Sequence, residues 1–520
     1  MIRNLVHLVR LARVGVVFAR EGVLGLIDPR PLPWTARIAL RAARLLERPS
    51  TGNIANRLSA ALTALGPTYV KLGQFLATRP DVVGLAFARD LESLQDRMPP
   101  FAQAQAEATV AAALDRTLTD LFPTFGPAVA AASIAQVHRA TLRDGRIVAV
   151  KVLRPGVEHR FKADLAAFFA VARMAEEWSA DARRLRLIEV VQTLARSVTI
   201  EMDLRLEAAA LSEMAENTRD DPDFRVPAVD WDLTARDVLT LEWIDGTPLN
   251  DHATLAAKGF DLPHLGRAVI QTFLRHAMRD GFFHADMHPG NLFVDAGGQL
   301  VAVDFGIMGR LSPKERRFLA EILHGFITRN YRRTAEIHFE AGYVPAHHSV
   351  ESFAQAIRAI GEPIHNRSAE DISMAKLLML LFEVTGLFDM RTRPELLLLQ
   401  KTMVVVEGVG RSLDPKLDIW TAAEPVVREW MERHLGPVGR IEDAAQGAGE
   451  LGRFIGQMPG LLGRAGRIAD QLDAATRDGI VLAPETVAAI GRAEARRNRW
   501  TAAALWVIAA LLGLVVWHFL

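Results

Sequence analysis

His284-Ala285-Asp286-Met287-His288-Pro289-Gly290-Asn291, with Asp304-Phe305-Gly306 a short way downstream, decides the fold. Asp286 and Asn291 stand five residues apart on one loop, and Asp304 follows Asp286 by eighteen. That set answers the demands of phosphoryl transfer. One carboxylate must sit near the attacking oxygen, and oxygen ligands must hold a divalent cation against the charge of the transition state. Asp286 is placed to face the nucleophile, Asn291 and Asp304 to hold Mg²⁺, and Gly306 to let the backbone turn sharply. Between the two loops, Asn291-Leu292-Phe293-Val294 and Leu300-Val301-Ala302-Val303 are short apolar runs. Asp295-Ala296-Gly297-Gly298 splits them with turn residues, so a hairpin is expected.

The remaining parts of such a site lie upstream, in the order of a protein-kinase-like fold. Arg146-Ile147-Val148-Ala149-Val150-Lys151-Val152-Leu153 is a β-rich run with one lysine able to point inward, suited to the α/β-phosphates of ATP. Before it, where a glycine-rich phosphate loop belongs, the chain reads Ala130-Ala131-Ala132-Ser133-Ile134-Ala135-Gln136-Val137-His138, with no glycine. Backbone N–H groups of Ala131, Ala132 and Ser133 can still cradle phosphate, but each Cβ narrows the accessible backbone and hinders close approach. Helical periodicity then runs from Leu187 to Asn217, carrying Glu201, Asp203 and Glu207. Glu207 or Glu201 is the expected partner of Lys151. A strand pair, Phe224–Val229 and Val238–Trp243, leads to Ile244-Asp245-Gly246-Thr247-Pro248. This segment is expected to be a lobe hinge whose backbone near Glu242 and Ile244 binds the adenine edge.

One element has no place in ordinary kinases: Pro67-Thr68-Tyr69-Val70-Lys71-Leu72-Gly73-Gln74. Lys-x-Gly-Gln, the alanine loop, Glu-x-Asp on the helix and His-Ala-Asp-x-His-Pro-Gly-Asn together resemble the UbiB/AarF (ADCK-type) atypical kinase family, over roughly residues 60 to 430. The resemblance implies ATP binding with Mg²⁺, ATPase or kinase-type activity, and a requirement in ubiquinone (coenzyme Q) biosynthesis. It also implies that the Lys-x-Gly-Gln segment folds over the active site and blocks protein substrates. Lys71 and Gln74 would be the lid contacts, with Glu201 and Asp203 as acidic partners. The implied partners are inner-membrane lipid, quinone-biosynthesis enzymes and phenolic or isoprenoid precursors. Met287 stands where many family members have Pro, and Ala135 replaces a glycine found in part of the family's alanine loops. Three other readings compete. A small-molecule phosphotransferase of the aminoglycoside-kinase kind shares His-x-Asp-x-His-x-x-Asn but would lack the Lys-x-Gly-Gln segment. A nucleotide-gated scaffold would bind without turnover. A protein kinase acting in trans would be hindered by the lid.

The fold class expected is therefore α+β, a bilobal kinase-like body with an N-terminal helical extension and a C-terminal transmembrane helix. The segments are 1–60, basic amphipathic helices; 61–125, lid extension; 126–244, N-lobe; 245–435, C-lobe; 436–499, helical linker; and 500–520, membrane helix. Trp500 to Leu520 contains no Asp, Glu, Lys or Arg, and roughly 20 apolar residues span a bilayer. Arg492, Arg496, Arg497 and Arg499 precede it, which by the positive-inside rule puts the catalytic body on the cytoplasmic side of a bacterial-type inner membrane. Ile2 to Ile27 carries Arg3, Arg10, Arg13 and Arg20, too many charges for a signal-peptide core. It is expected to lie on an anionic membrane surface or on the kinase body. Ser312-Pro313-Lys314-Glu315 is a capping box opening a helix to about Asn330. At 520 residues, 61 basic against 61 acidic, nothing favours nucleic acid as a partner, and the absence of cysteine excludes disulfides and thiol catalysis. For His288 a loop-ordering hydrogen bond is expected rather than metal ligation.

Overall fold

A computed structural model describes residues 98–178, 186–365 and 394–436 throughout, together with 13–26, 54–77 and scattered positions between these segments. The chain separates into two compact units, Met1–Met431 and Glu432–Leu520, and almost all of the second lies outside the described residues.

After a helical stretch over residues 13–20, two helices, α1 (Ile54–Leu65) and α2 (Pro67–Ala77), meet at Gly66. Its φ of +111° is a backbone that a Cβ would strain, and Pro67 then starts α2 where a missing N–H costs nothing. Leu62, Leu65, Tyr69, Val70 and Ala77 bury a shared face, and Val14, Val17 and Phe18 pack against it. The described part of the N-terminal segment thus rests on the protein itself.

The N-lobe is built on one sheet. Helix α3 (Gln103–Leu114) precedes strands β1 (Thr124–Ala131), β2 (Ala135–Thr141) and β3 (Ile147–Leu153). After α4 (Val157–Trp178), α5 (Leu187–Glu201), α6 (Leu204–Asn217) and the short β4 (Phe224–Arg225), strand β5 (Val238–Glu242) completes it in the antiparallel order β1-β2-β3-β5. Side chains alternate along a strand. Val148, Val150 and Val152 therefore bury against Ala106 and Val110 of α3, while Lys151 points to the other face. Each such valine contributes about 1.5–3 kcal/mol by leaving water.

Two expectations change here. The long helix of Leu187–Asn217 is broken, because Asp203 adopts an extended backbone (φ −123°) and caps α6, its carboxylate accepting from the Arg205 N–H. The strand expected over Phe224–Val229 stops at Arg225, with only a lone bridge from Val229 to Leu241. Pro227 between them has no N–H to give a ladder.

In the C-lobe, β6 (Thr247–Pro248) and α7 (Leu262–Arg275) precede β7 (Phe282–His284), β8 (Leu292–Val294), β9 (Leu300–Ala302) and β10 (Met308–Arg310). Strands β8 and β9 form the hairpin, with Leu292 opposite Ala302 and Val294 opposite Leu300, inside a sheet ordered β4-β9-β8-β6. Strands β7 and β10 pair separately and bring the two loops together. Helix α8 (Pro313–Ile327) starts at the Ser312 capping box. It is followed by α9 (Tyr331–Glu340), α10 (Val350–His365), α11 (Pro394–Leu413) and α12 (Ile419–Leu435). Helices α7 and α11 touch backbone to backbone, since a Cβ on Gly266 would meet Gly410 O at 2.9 Å.

The bilobal kinase-like α+β architecture stands, but the expected membrane-spanning helix does not. Among the described residues no helix is long and apolar enough to cross a membrane. The 20-residue α11 is interrupted by Glu395, Lys401, Glu407 and Arg411. The stretch 500–520 itself, and the linker of 436–499 beyond Gly436, lie outside the described residues.

Candidate active site

Strand β3 delivers Lys151 to the centre of the site. Its ammonium lies 2.7 and 2.9 Å from the two carboxylate oxygens of Glu207 on the first turn of α6, and 3.0 Å from Asp304 Oδ1. Of the two acids expected to pair with Lys151, the structure brings Glu207. The break at Met202–Asp203 explains the choice, because it turns α6 so that Glu207 faces β3 while Glu201 remains on α5. Glu207 also accepts the Phe305 N–H at 3.3 Å, tying the helix to the second loop.

Burial disfavours the Lys151 ammonium, but the charges of Asp304 and Glu207 outweigh it and hold the pKa above the ordinary lysine value. Burial would likewise raise Asp304; the Lys151 ammonium instead draws it down from 3.8 to about 2, with Lys71 adding to the pull. Asp304 has a left-handed backbone (φ +69°), a conformation Asp tolerates better than most residues, and keeps 47% of its side chain exposed. Burial pushes Glu207 up, against the pull of Lys151. Two carboxylates against one ammonium leave a net negative charge that a divalent cation would compensate. The oxygen donors of Asp304 and Asn291 are the hard ligands Mg²⁺ prefers, so the residues present fit that ion.

The catalytic-loop residues are held by their own backbone. Buried His284 accepts the Asp286 N–H on Nδ1 at 3.0 Å, so the neutral ring carries its proton on Nε2. Burial pushes the His284 pKa down, which keeps the ring neutral. The Asn291 amide donates to the Asp286 carbonyl (3.2 Å) and carboxylate (3.3 Å), drawing both ends of the loop together. His288 accepts the Gly290 N–H on Nδ1 at 3.1 Å, a loop-ordering bond. Thr402, fully buried on α11, places its hydroxyl 2.8 Å from Leu398 O of its own helix and 3.1 Å from Ala285 O, so the two carbonyls share its one proton. Sequence offered no sign of Thr402, a single hydroxyl in an apolar run.

The Lys-x-Gly-Gln segment is helix α2. Lys71 Nζ lies 2.6 Å from Glu201 on α5, with 12% and 9% of the two side chains exposed. Asp203 is committed elsewhere, to the α6 cap and to Arg205 at 2.7 Å. Gln74, one turn beyond Lys71, is half-buried and has no hydrogen-bond partner among the described residues. Thr68 Oγ1 donates to Asp164 on α4 at 2.8 Å, and Tyr69 meets Phe168 edge-on at 5.2 Å.

The alanine loop is the β1–β2 turn, with Ala131 closing β1 and Ser133 fully buried. Three of its carbonyls are occupied. Met98 donates to Ala131 O (3.2 Å), Arg154 Nη2 to Ala132 O (3.1 Å) and the Arg154 N–H to Ile134 O (2.7 Å), so the turn is braced from outside. At the hinge, the Glu242 N–H already bonds Ala228 O at 2.8 Å and its carboxylate bonds Arg225 at 3.0 Å. Glu242 therefore keeps only its carbonyl for a base edge. The ladder ends where the Trp243 N–H reaches Ile147 O at 3.3 Å, and Ile244 is the first residue past it.

Residues 93–338 match the ABC1 atypical kinase-like domain and residues 357–418 the UbiB helical domain. The "Probable protein kinase UbiB" of Marinobacter nauticus is 40% identical over 84% of this chain and 81% of its own. The chain belongs to the UbiB family of atypical kinases. Another UbiB-family relative of the same printed name, from Azotobacter vinelandii, is 40% identical over 86% and 85% of the two chains. Among solved structures, the complex of Rv3197 with erythromycin from Mycobacterium tuberculosis matches with a TM-score of 0.50 at 27% identity, covering 75% of this chain and 97% of that one. The helical-domain match takes in the second half of α10 and all of α11, and α11 reaches the catalytic loop at Thr402.

Proposed function

We propose that this UbiB-family chain binds ATP with Mg²⁺ between β3 and the catalytic loop, and acts as a phosphotransferase or ATPase in support of ubiquinone biosynthesis. The observation that carries the proposal is Lys151 bonded at once to Glu207 and Asp304, with Asp286 and Asn291 joined beside it. In this scheme Lys151 holds the phosphates, Asn291 and Asp304 hold the ion, and Asp286 accepts the proton of the attacking hydroxyl or orients water. Bound Mg²⁺ supplies neutralisation of charge on the transferred phosphoryl group. The Glu242 carbonyl and Ile244 backbone meet the adenine edge, and Ala131, Ala132 and Ser133 cover the phosphates. The buried Lys71–Glu201 pair and the Thr68–Asp164 bond fix α2 close enough to draw down the Asp304 pKa. A helix held there favours a small or lipid-like acceptor, such as a phenolic or isoprenoid quinone precursor, over a protein in trans. The ubiquinone role itself rests on family resemblance.

Asp304→Asn tests the assignment. A ligand at 100 times its Kd stabilises a protein by about 2.7 kcal/mol, so Mg-ATP should raise the wild-type melting temperature and leave the variant unmoved. An undiminished shift in Asp304→Asn would remove Asp304 from the metal site. Asp286→Asn should keep the shift and lose ATP turnover, which separates binding from chemistry.

A further inference from the structure

We propose that His347, His348 and Asp389 form a second metal site, of the Zn²⁺ class, remote in sequence from the nucleotide residues. The two histidines sit side by side on the loop between α9 and α10, and Asp389 lies in the turn preceding α11. Both Nε2 atoms face the same oxygen, Asp389 Oδ2, at 3.6 Å from His347 and 3.3 Å from His348. The three donor atoms lie within 4.8 Å of one another, and among the described residues they are the one group of metal-ligating side chains gathered so closely. The spacing is chemical. An ion bound tetrahedrally by bonds of about 2.0–2.1 Å holds its donors about 3.3 Å apart, which is the separation found for His348 and the carboxylate, with His347 0.3 Å farther out at 3.6 Å. Only the two imidazoles need to swing slightly towards each other.

The surroundings suit such an ion. The His348 ring packs 5.2 Å from Phe388, and Phe388 in turn lies 5.0 Å from Phe353 of α10, so an apolar wall holds that imidazole in place. His347 and Asp389 keep 65% and 68% of their side chains exposed, leaving an approach for the ion and room for a water as fourth ligand. Two imidazole nitrogens exclude hard ions such as Mg²⁺ and Ca²⁺ as the preferred occupant and select zinc-like cations. The site also has a structural sense. His347 and His348 fall between the two family matches, which end at 338 and begin at 357, while Asp389 lies inside the helical-domain match. Bound metal would join the connector to the helical domain across 41 residues of chain.

The probe is ZnCl₂ alone, added to the chelator-stripped full chain in excess Mg²⁺ so that Asn291 and Asp304 do not compete. Zinc is counted by mass spectrometry after equilibrium dialysis, with the visible spectrum of Co²⁺-loaded protein as a second readout. The wild type should retain one tight equivalent and give a tetrahedral Co²⁺ spectrum. Asp389→Asn and His348→Ala should each weaken binding at least tenfold, while His159→Ala, an exposed control on α4, should change nothing. Asp389→Asn preserves side-chain volume, so the comparison survives if His348→Ala fails to fold. Loss of the tight equivalent in wild type, an octahedral Co²⁺ spectrum, or undiminished affinity in Asp389→Asn would each overturn the site and leave an ordinary imidazole–carboxylate hydrogen bond.

Discussion

Among the described residues Lys151 is the one positive charge bonded to both Glu207 and Asp304, and both carboxylates depend on it. Its removal leaves Glu207 buried without its counter-ion and facing a second negative group. Breaking a buried pair by deleting one partner costs about 3–5 kcal/mol; with Asp304 half-exposed and screened, Lys151→Met should fall near the low end, about 3 kcal/mol by urea unfolding. Adding Glu207→Gln should return part of that loss, because the stranded charge is gone. Strict additivity of the two changes would mean that the pair is not coupled. The sequence supplied Lys151 from its strand pattern and both candidate acids from one helical stretch. It could not choose between the acids, because the choice depends on a helix break made by a side chain that caps the next helix, and periodicity runs straight through such a break.

Elements place these residues by contacts that no motif records. Helix α11 reaches the catalytic loop through Thr402, whose buried hydroxyl shares its proton between Leu398 O on its own helix and Ala285 O. Thr402→Val keeps the shape and removes the donor, leaving a buried carbonyl short of a partner at a cost of about 1–3 kcal/mol. Since Ala285 lies next to Asp286, ATP turnover should fall several-fold while the Mg-ATP thermal shift stays near wild type. Unchanged turnover would make Thr402 a packing residue only. The hairpin of β8 and β9 and the capping box of α8 were legible because turn residues and caps act within a few positions of themselves. The seating of α2 on α4 was not. Thr68 and Asp164 are 96 residues apart, and either alone is an ordinary polar residue on a helix.

At the scale of the whole molecule, the order strand, helix, hinge, catalytic loop and metal loop was readable because phosphoryl transfer demands those residue types in that sequence. The membrane-spanning helix was inferred from composition in a stretch beyond the described residues, where an apolar run alone fixes no structure. Buried histidines are another global property that composition hides. His138 is fully buried, with Nδ1 2.9 Å from Gly126 O and Nε2 2.9 Å from the Gln136 amide nitrogen, whose orientation is fixed by the Phe101 N–H on Gln136 Oε1 at 2.9 Å. Nδ1 therefore donates and Nε2 accepts, and a second proton on Nε2 would face a donor. His284 accepts on Nδ1 in the same way. Burial lowers both pKa values from the ordinary 6.5. The unfolded chain takes up protons below 6.5 that the folded chain refuses, so this stability is complete above 6.5 and is lost as pH falls towards the folded values. Each group can contribute up to about 1.4 kcal/mol per pH unit. The urea midpoint should therefore drop between about pH 7.5 and pH 5.5, and His138→Gln should flatten that slope whatever its effect on stability at neutral pH. A variant as steep as the wild type would show that His138 takes up its proton in the folded state, with Gln136 turning to receive it.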